Sequence, residues 1–86
     1  MDIEELRKEI DNINSEIVRL ISKRNKVVKK IGDYKKNKGL EIYDSKREIE
    51  ILKKIKLLAK KEGLNEKFIL RIFKEILKNS KELQKD

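Results

Sequence analysis

An apolar stripe runs farther along this chain than the rest of the chain can cover. Ile3, Leu6, Ile10, Ile13, Ile17 and Leu20 step by alternating threes and fours, and the rhythm resumes at Val27, Ile31 and Tyr34. This spacing marks one face of a long helix, in the a/d pattern of helices that pack on helices. It predicts a helix over residues 2–38, roughly 55 Å long at 1.5 Å per residue. Two further helices are expected over 45–61 and 66–83, each about half that length. Joined by the short 62–65 connection, they reach only part of the stripe. The remainder needs a second chain. The expected fold is therefore all-α, with one long and two short helices per chain in an intertwined homodimer whose long helices pack together.

Local signals set these boundaries. Proline is absent, and the only glycines are Gly32, Gly39 and Gly63. Gly39 and Gly63 fall where periodicity stops, as helix C-terminal glycines do. Asp44 or Ser45 caps the second helix, and Ser45 with Glu48 has capping-box spacing. Asn65 suits the N-cap of the third. Gly32 lies inside the first helix at a cost of about 1 kcal/mol relative to alanine, which points to a close backbone approach. Strand-like alternation, repeats and linkers are absent, so residues 1–86 are expected to form one domain.

Composition removes whole classes of chemistry. Cysteine and histidine are both missing, which excludes disulfides, thiolate metal sites and the usual general base. No apolar run is long enough to span a bilayer and no signal peptide is visible, so the expected location is the cytoplasm. A net charge of +8 favours anionic partners without choosing among them.

The stripe is broken by Arg24, which takes the step between Leu20 and Val27. A guanidinium keeps its charge and is costly to bury unpaired, so something anionic should meet it inside the fold. Lys35 lies eleven residues on, close to three full turns, so both side chains leave one face about 16 Å apart. Arg7 belongs to the same flank but lies about 42 Å from Lys35 along the axis. If Arg7 serves the same small ligand, it must come from a partner chain. The third helix repeats the anomaly. Phe68, Ile69, Ile72, Phe73, Ile76 and Leu77 form a broad apolar face, and the helical steps beyond Phe73 and Leu77 fall on Ser80 and Gln84. At the start of the second helix, Asp44, Arg47 and Glu48 crowd into one turn. Each position also has a plain reading. Arg24 suits a snorkelling or register-setting residue, Ser80 and Gln84 a solvated last turn, and the second-helix cluster simple capping and surface pairing. The lysine clusters read as solvated faces.

As an ordered set these residues resemble the all-helical chorismate mutases. The carriers are Arg7 in L-R-K-E-I-D, Arg24 in S-K-R-N, Ile31-Gly32-Asp33-Tyr34-Lys35, Asp44-Ser45-Lys46-Arg47-Glu48, and Asn79-Ser80 through Gln84. The resemblance spans nearly the whole chain without insertion or deletion, and it implies an intertwined helical dimer. It also implies site roles. Arg24 and a partner's Arg7 would bind the two carboxylates of chorismate, with Ser80 assisting. Lys35 and Gln84 would donate to the ether oxygen, and Arg47 would add positive charge. Glu48 would accept from the ring hydroxyl, with Asp44 beside it and Ile31 against the substrate. Tyr43 stands where some members carry a basic residue, and Lys81 where an aliphatic side chain often lines the pocket. Both departures bear on substrate affinity.

The implied reaction, chorismate to prephenate, is a unimolecular [3,3] rearrangement. It calls for no cofactor, metal, nucleophile or proton relay, in keeping with the missing histidine and cysteine. The enzyme must hold a flexible dianion in its compact reactive shape and stabilise charge growing on the ether oxygen, where one fixed donor is worth about 3–4 kcal/mol. Isochorismate–pyruvate lyase shares the fold and a cationic pocket, though Gln84 together with Glu48 favours the mutase. A basic nucleic-acid-binding module rests on charge alone, with little aromatic surface and no reading motif. A purely structural coiled-coil dimer would tolerate apolar residues at 24, 80 and 84. The expectation is thus a homodimeric enzyme acting on a small dianion, engaging neither nucleic acid nor membrane.

Overall fold

The computed structural model describes residues 1–85, in three helices with no strand among them: α1 (Ile3–Lys38), α2 (Ser45–Lys61) and α3 (Glu66–Lys85). Each start is capped by the side chain just before it. Asp2 accepts from the Glu5 N–H at 2.9 Å, Asp44 from the Arg47 N–H at 3.1 Å, and Asn65 from the Phe68 N–H at 2.9 Å. Glu4 and Glu5 in the first turn of α1, and Lys35, Lys36 and Lys38 in its last, complement the helix dipole. Gly39 ends α1 at φ 67°, in the left-handed region that glycine enters without a side-chain penalty.

Two local expectations change. The Ser45–Glu48 capping box does not form. Asp44 is the cap, which makes Arg47 the third helical residue, and Glu48 instead reaches Lys81 on α3. The third helix also continues past residue 83 to Lys85. Its last turn is docked rather than frayed, because Gln84 is buried against α1. A Cβ built on Gly32 would sit 3.0 Å from Gln84 Cα. The glycine expected to mark a close approach does mark one, and it sets the spacing of α1 and α3 beside Gln84.

α3 packs against both α1 and α2. The interior is small, with Val28, Ala59 and Leu77 as its buried apolar residues. In α1 only Val28 and Gly32 are buried. The stripe from Ile3 to Leu20 stays exposed, with Ile10 at 56% and Leu20 at 64%. The molecule measures 55 × 24 × 15 Å, so the N-terminal half of α1 extends well beyond the other two helices. An apolar row this long is uncommon on the surface of a stable monomer.

Candidate active site

Where the three helices meet, Arg24 and Ile31 from α1, Arg47 and Glu48 from α2, and Ser80 and Gln84 from α3 line one cleft. Its apolar walls include Val28, Ile42, Ile51 and Leu77. Helical period brings Arg24, Val28 and Ile31 onto one face of α1, and Leu77, Ser80 and Gln84 onto one face of α3.

Arg24 is the centre of the polar network. Its guanidinium donates to the Ser80 hydroxyl, and that hydroxyl donates in turn to the Ile76 carbonyl at 2.9 Å. Ser80 therefore orients the guanidinium while leaving its other N–H groups available to an anion. The partner found for Arg24 within the chain is thus a neutral hydroxyl rather than the expected anion. Burial pushes the Arg24 pKa down from its ordinary value by desolvation, yet a guanidinium remains charged at neutral pH. A carboxylate arriving in the cleft would offset that desolvation cost.

Gln84 lies one turn beyond Ser80. Its Nε2 donates to the Ser80 carbonyl at 3.3 Å, and the amide carries a second N–H. Its Oε1 is buried with no hydrogen-bond partner. Leaving a buried acceptor unsatisfied typically costs about 1–3 kcal/mol, so this amide is poorly explained as a packing residue. Arg47 pairs with Glu50 at 3.3 Å, both side chains more than half exposed. Such a pair contributes about 0–1 kcal/mol and is easily exchanged for a ligand carboxylate.

Three expected site residues are not in the cleft. The Lys35 ammonium donates to the carbonyl of Ile42, a cleft-lining residue, at 2.8 Å. Asp44 serves as the α2 cap. Arg7 sits near the far end of α1, paired with Glu4 at 2.7 Å in solvent. Four apolar lining residues lie outside the expected site set: Val28 and Leu77, on the same helical faces as Arg24 and Ser80, and Ile51 and Ile42. Ile51 stands one turn beyond Arg47 and Glu48, and helical spacing would have found it. Ile42 lies in the α1–α2 connection, where no periodicity signals a direction. Among the described residues, no group of three or more Asp and Glu side chains is arranged to hold a metal ion.

The sequence profile of the family described as chorismate mutase type II matches residues 6–85. The chain belongs to the chorismate mutase type II family. It is 36% identical over 81 residues to a chorismate mutase of Methanocaldococcus jannaschii, covering 94% of this chain and 82% of that one. A bifunctional chorismate mutase/prephenate dehydratase of Aquifex aeolicus is 38% identical over 87 residues, but the match covers 98% of this chain and only 24% of that protein. Among solved structures, a chorismate mutase (Form II) from Thermus thermophilus superposes with a TM-score of 0.83 at 39% identity, covering 96% of this chain and 93% of the other. As a chorismate mutase the chain is an isomerase, and the names of its bifunctional relatives tie the family to aromatic amino acid biosynthesis. The structural likeness also covers the long α1, so its exposed N-terminal half belongs to the shared fold.

Proposed function

We propose that this chorismate mutase converts chorismate to prephenate in a composite site, built on the cleft around Arg24 and completed by Arg7 of a second copy. The observation that carries the reading is the Arg24–Ser80 hydrogen bond in a cleft that Gln84 also lines. A guanidinium oriented by Ser80, beside a buried amide with an N–H to spare, suits a substrate with a carboxylate near a breaking ether bond. Arg24 takes one carboxylate and the partner's Arg7 the other. Arg47, released from Glu50, adds positive potential. Glu48 accepts from the ring hydroxyl, with Asp44 anchoring the turn that carries it, and Ile31 packs on the substrate.

In the reaction the ether C–O bond breaks as a C–C bond forms, with no proton transferred. The protein's task is positioning plus stabilisation of charge on the departing oxygen. Gln84 donates to that oxygen from α3. Lys35 joins it by leaving the Ile42 carbonyl, a rotation of a flexible side chain. The residues form one domain per chain, two copies make the working enzyme, and its setting is the cytoplasm. No helix among the described residues is long and apolar enough to cross a membrane.

The test is complementation, read as loss of chorismate absorbance. Arg7→Ala and Lys35→Ala should each be nearly inactive alone. Refolded as an equal mixture, they should recover about a quarter of wild-type activity. Random pairing makes half the dimers mixed, and each mixed dimer holds one intact site of two. Confirmed mixed dimers without recovery refute a site shared across the interface. A wild-type protein that leaves chorismate untouched and cleaves isochorismate refutes the mutase reading.

A further inference from the structure

Lys81, which lines the cleft, meets Tyr43 of the α1–α2 connection. The Lys81 ammonium lies 4.8 Å from the centroid of the Tyr43 ring and 3.4 Å from Glu48 Oε1. Three segments converge on one cation: α3 through Lys81, the first turn of α2 through Glu48, and the α1–α2 connection through Tyr43. The pairs Arg7–Glu4, Arg47–Glu50 and Lys85–Glu82 each lie within one helix, with side chains more than half exposed. The Lys81–Glu48 pair joins two helices, and its side chains are only 35% and 26% exposed. Solvent screens it less.

The location gives this pair a consequence for binding. Lys81 and Glu48 both line the cleft, where the other cations are Arg24 and Arg47. A bare carboxylate there would repel a dianionic substrate. It would also compete with the substrate for the two guanidinium groups. A neighbouring ammonium removes both penalties while leaving Glu48 able to accept a hydrogen bond. The Tyr43 contact extends the effect. Tyr43 follows Ile42, which lines the cleft and whose carbonyl holds Lys35. A cation on the Tyr43 ring keeps that stretch of chain against the site.

We propose that Lys81 is a positioning residue of the active site, which neutralises Glu48 toward the incoming dianion and holds the Tyr43–Ile42 segment against the cleft. The inference rests on the reading of the cleft as the chorismate site, and its effect falls on substrate binding rather than on the bond-breaking step.

The experiment compares steady-state kinetics of wild type, Lys81→Met, Lys81→Arg, Glu48→Gln and the Glu48→Gln/Lys81→Met double variant. Methionine keeps the length of the side chain and removes its charge. Lys81→Met should raise KM about tenfold and change kcat less than about threefold, the pattern of lost uniform binding. Lys81→Arg should recover most of the KM, because a guanidinium both pairs with a carboxylate and stacks on an aromatic ring. Glu48→Gln keeps an acceptor oxygen but leaves no charge to neutralise, so adding Lys81→Met should cost clearly less in KM than it does in wild type, the remainder being the lost Tyr43 contact. Full additivity of the two substitutions overturns the charge-compensation argument. An active wild type whose Lys81→Met variant keeps its KM overturns the role of Lys81 alone. A wild type inactive on chorismate overturns the reading of the cleft, and this inference with it.

Discussion

Replacing Gly32 with alanine should damage catalysis more than stability. A Cβ at residue 32 would meet Gln84 Cα at 3.0 Å and Gln84 Cβ and Cγ at 3.3 Å each. Comfortable carbon–carbon separation is about 3.5–4.0 Å, so α1 and α3 must part by at least about 0.5 Å. Two opposing terms set the stability change. Alanine gains about 1 kcal/mol over glycine in a helix interior, whereas forcing a methyl into a packed contact costs about 1–3 kcal/mol. The net loss is then about 0–2 kcal/mol. Gln84 is one residue from the end of α3, so the docked last turn of that helix, rather than the core, takes up the shift. That movement carries the Gln84 amide away from the place proposed for the ether oxygen. A 1 Å misplacement near the chemistry costs about 10²-fold, so half that shift should lower kcat about tenfold. The assay pairs chorismate turnover with thermal melting at one fixed protein concentration. The expected result is a tenfold fall in kcat with Tm lowered by less than about 16 °C. Wild-type kcat would refute the argument that this close approach positions Gln84, as would a collapse in Tm with kcat preserved.

Gln84→Ala should lower kcat about 10²-fold with a smaller change in KM, because the donor acts on charge that exists only in the transition state. Gln84→Glu should be nearly inactive at neutral pH and partly recover on acidification. Burial raises a carboxyl's pKa, and only its protonated form donates. A flat pH–rate profile at near wild-type activity would remove Gln84 from the mechanism. Because the stripe from Ile3 to Leu20 finds no cover within one chain, Tm should rise with protein concentration. A folded monomer at micromolar concentration in analytical ultracentrifugation would refute a dimer built on that stripe.

Helix boundaries are governed by neighbours in sequence, which is why they were legible in it. Asp2, Asn65 and Gly39 act within a turn of where they stand, and α2 begins and ends as its periodicity indicates. The face that holds Arg24, and the face that holds Ser80 and Gln84, follow from a fixed rotation per residue. Polar residues on those apolar stripes therefore pointed to the faces that line the cleft before any packing was known. The ambiguous positions were decided by tertiary contact. Ser80 and Gln84 fitted either a solvated last turn or a buried one, and the contact of Gln84 with Gly32 settled which, through a distance between residues 52 positions apart. Lys81 reaches Glu48 and Tyr43, and Ile42 enters the cleft, because the connection after Gly39 folds back onto α3. A connection without period carries no signal of where its side chains aim. Local rotation about the helix axis was written in the sequence, while the meeting of separate segments came from the close packing of helices that only the folded chain brings together.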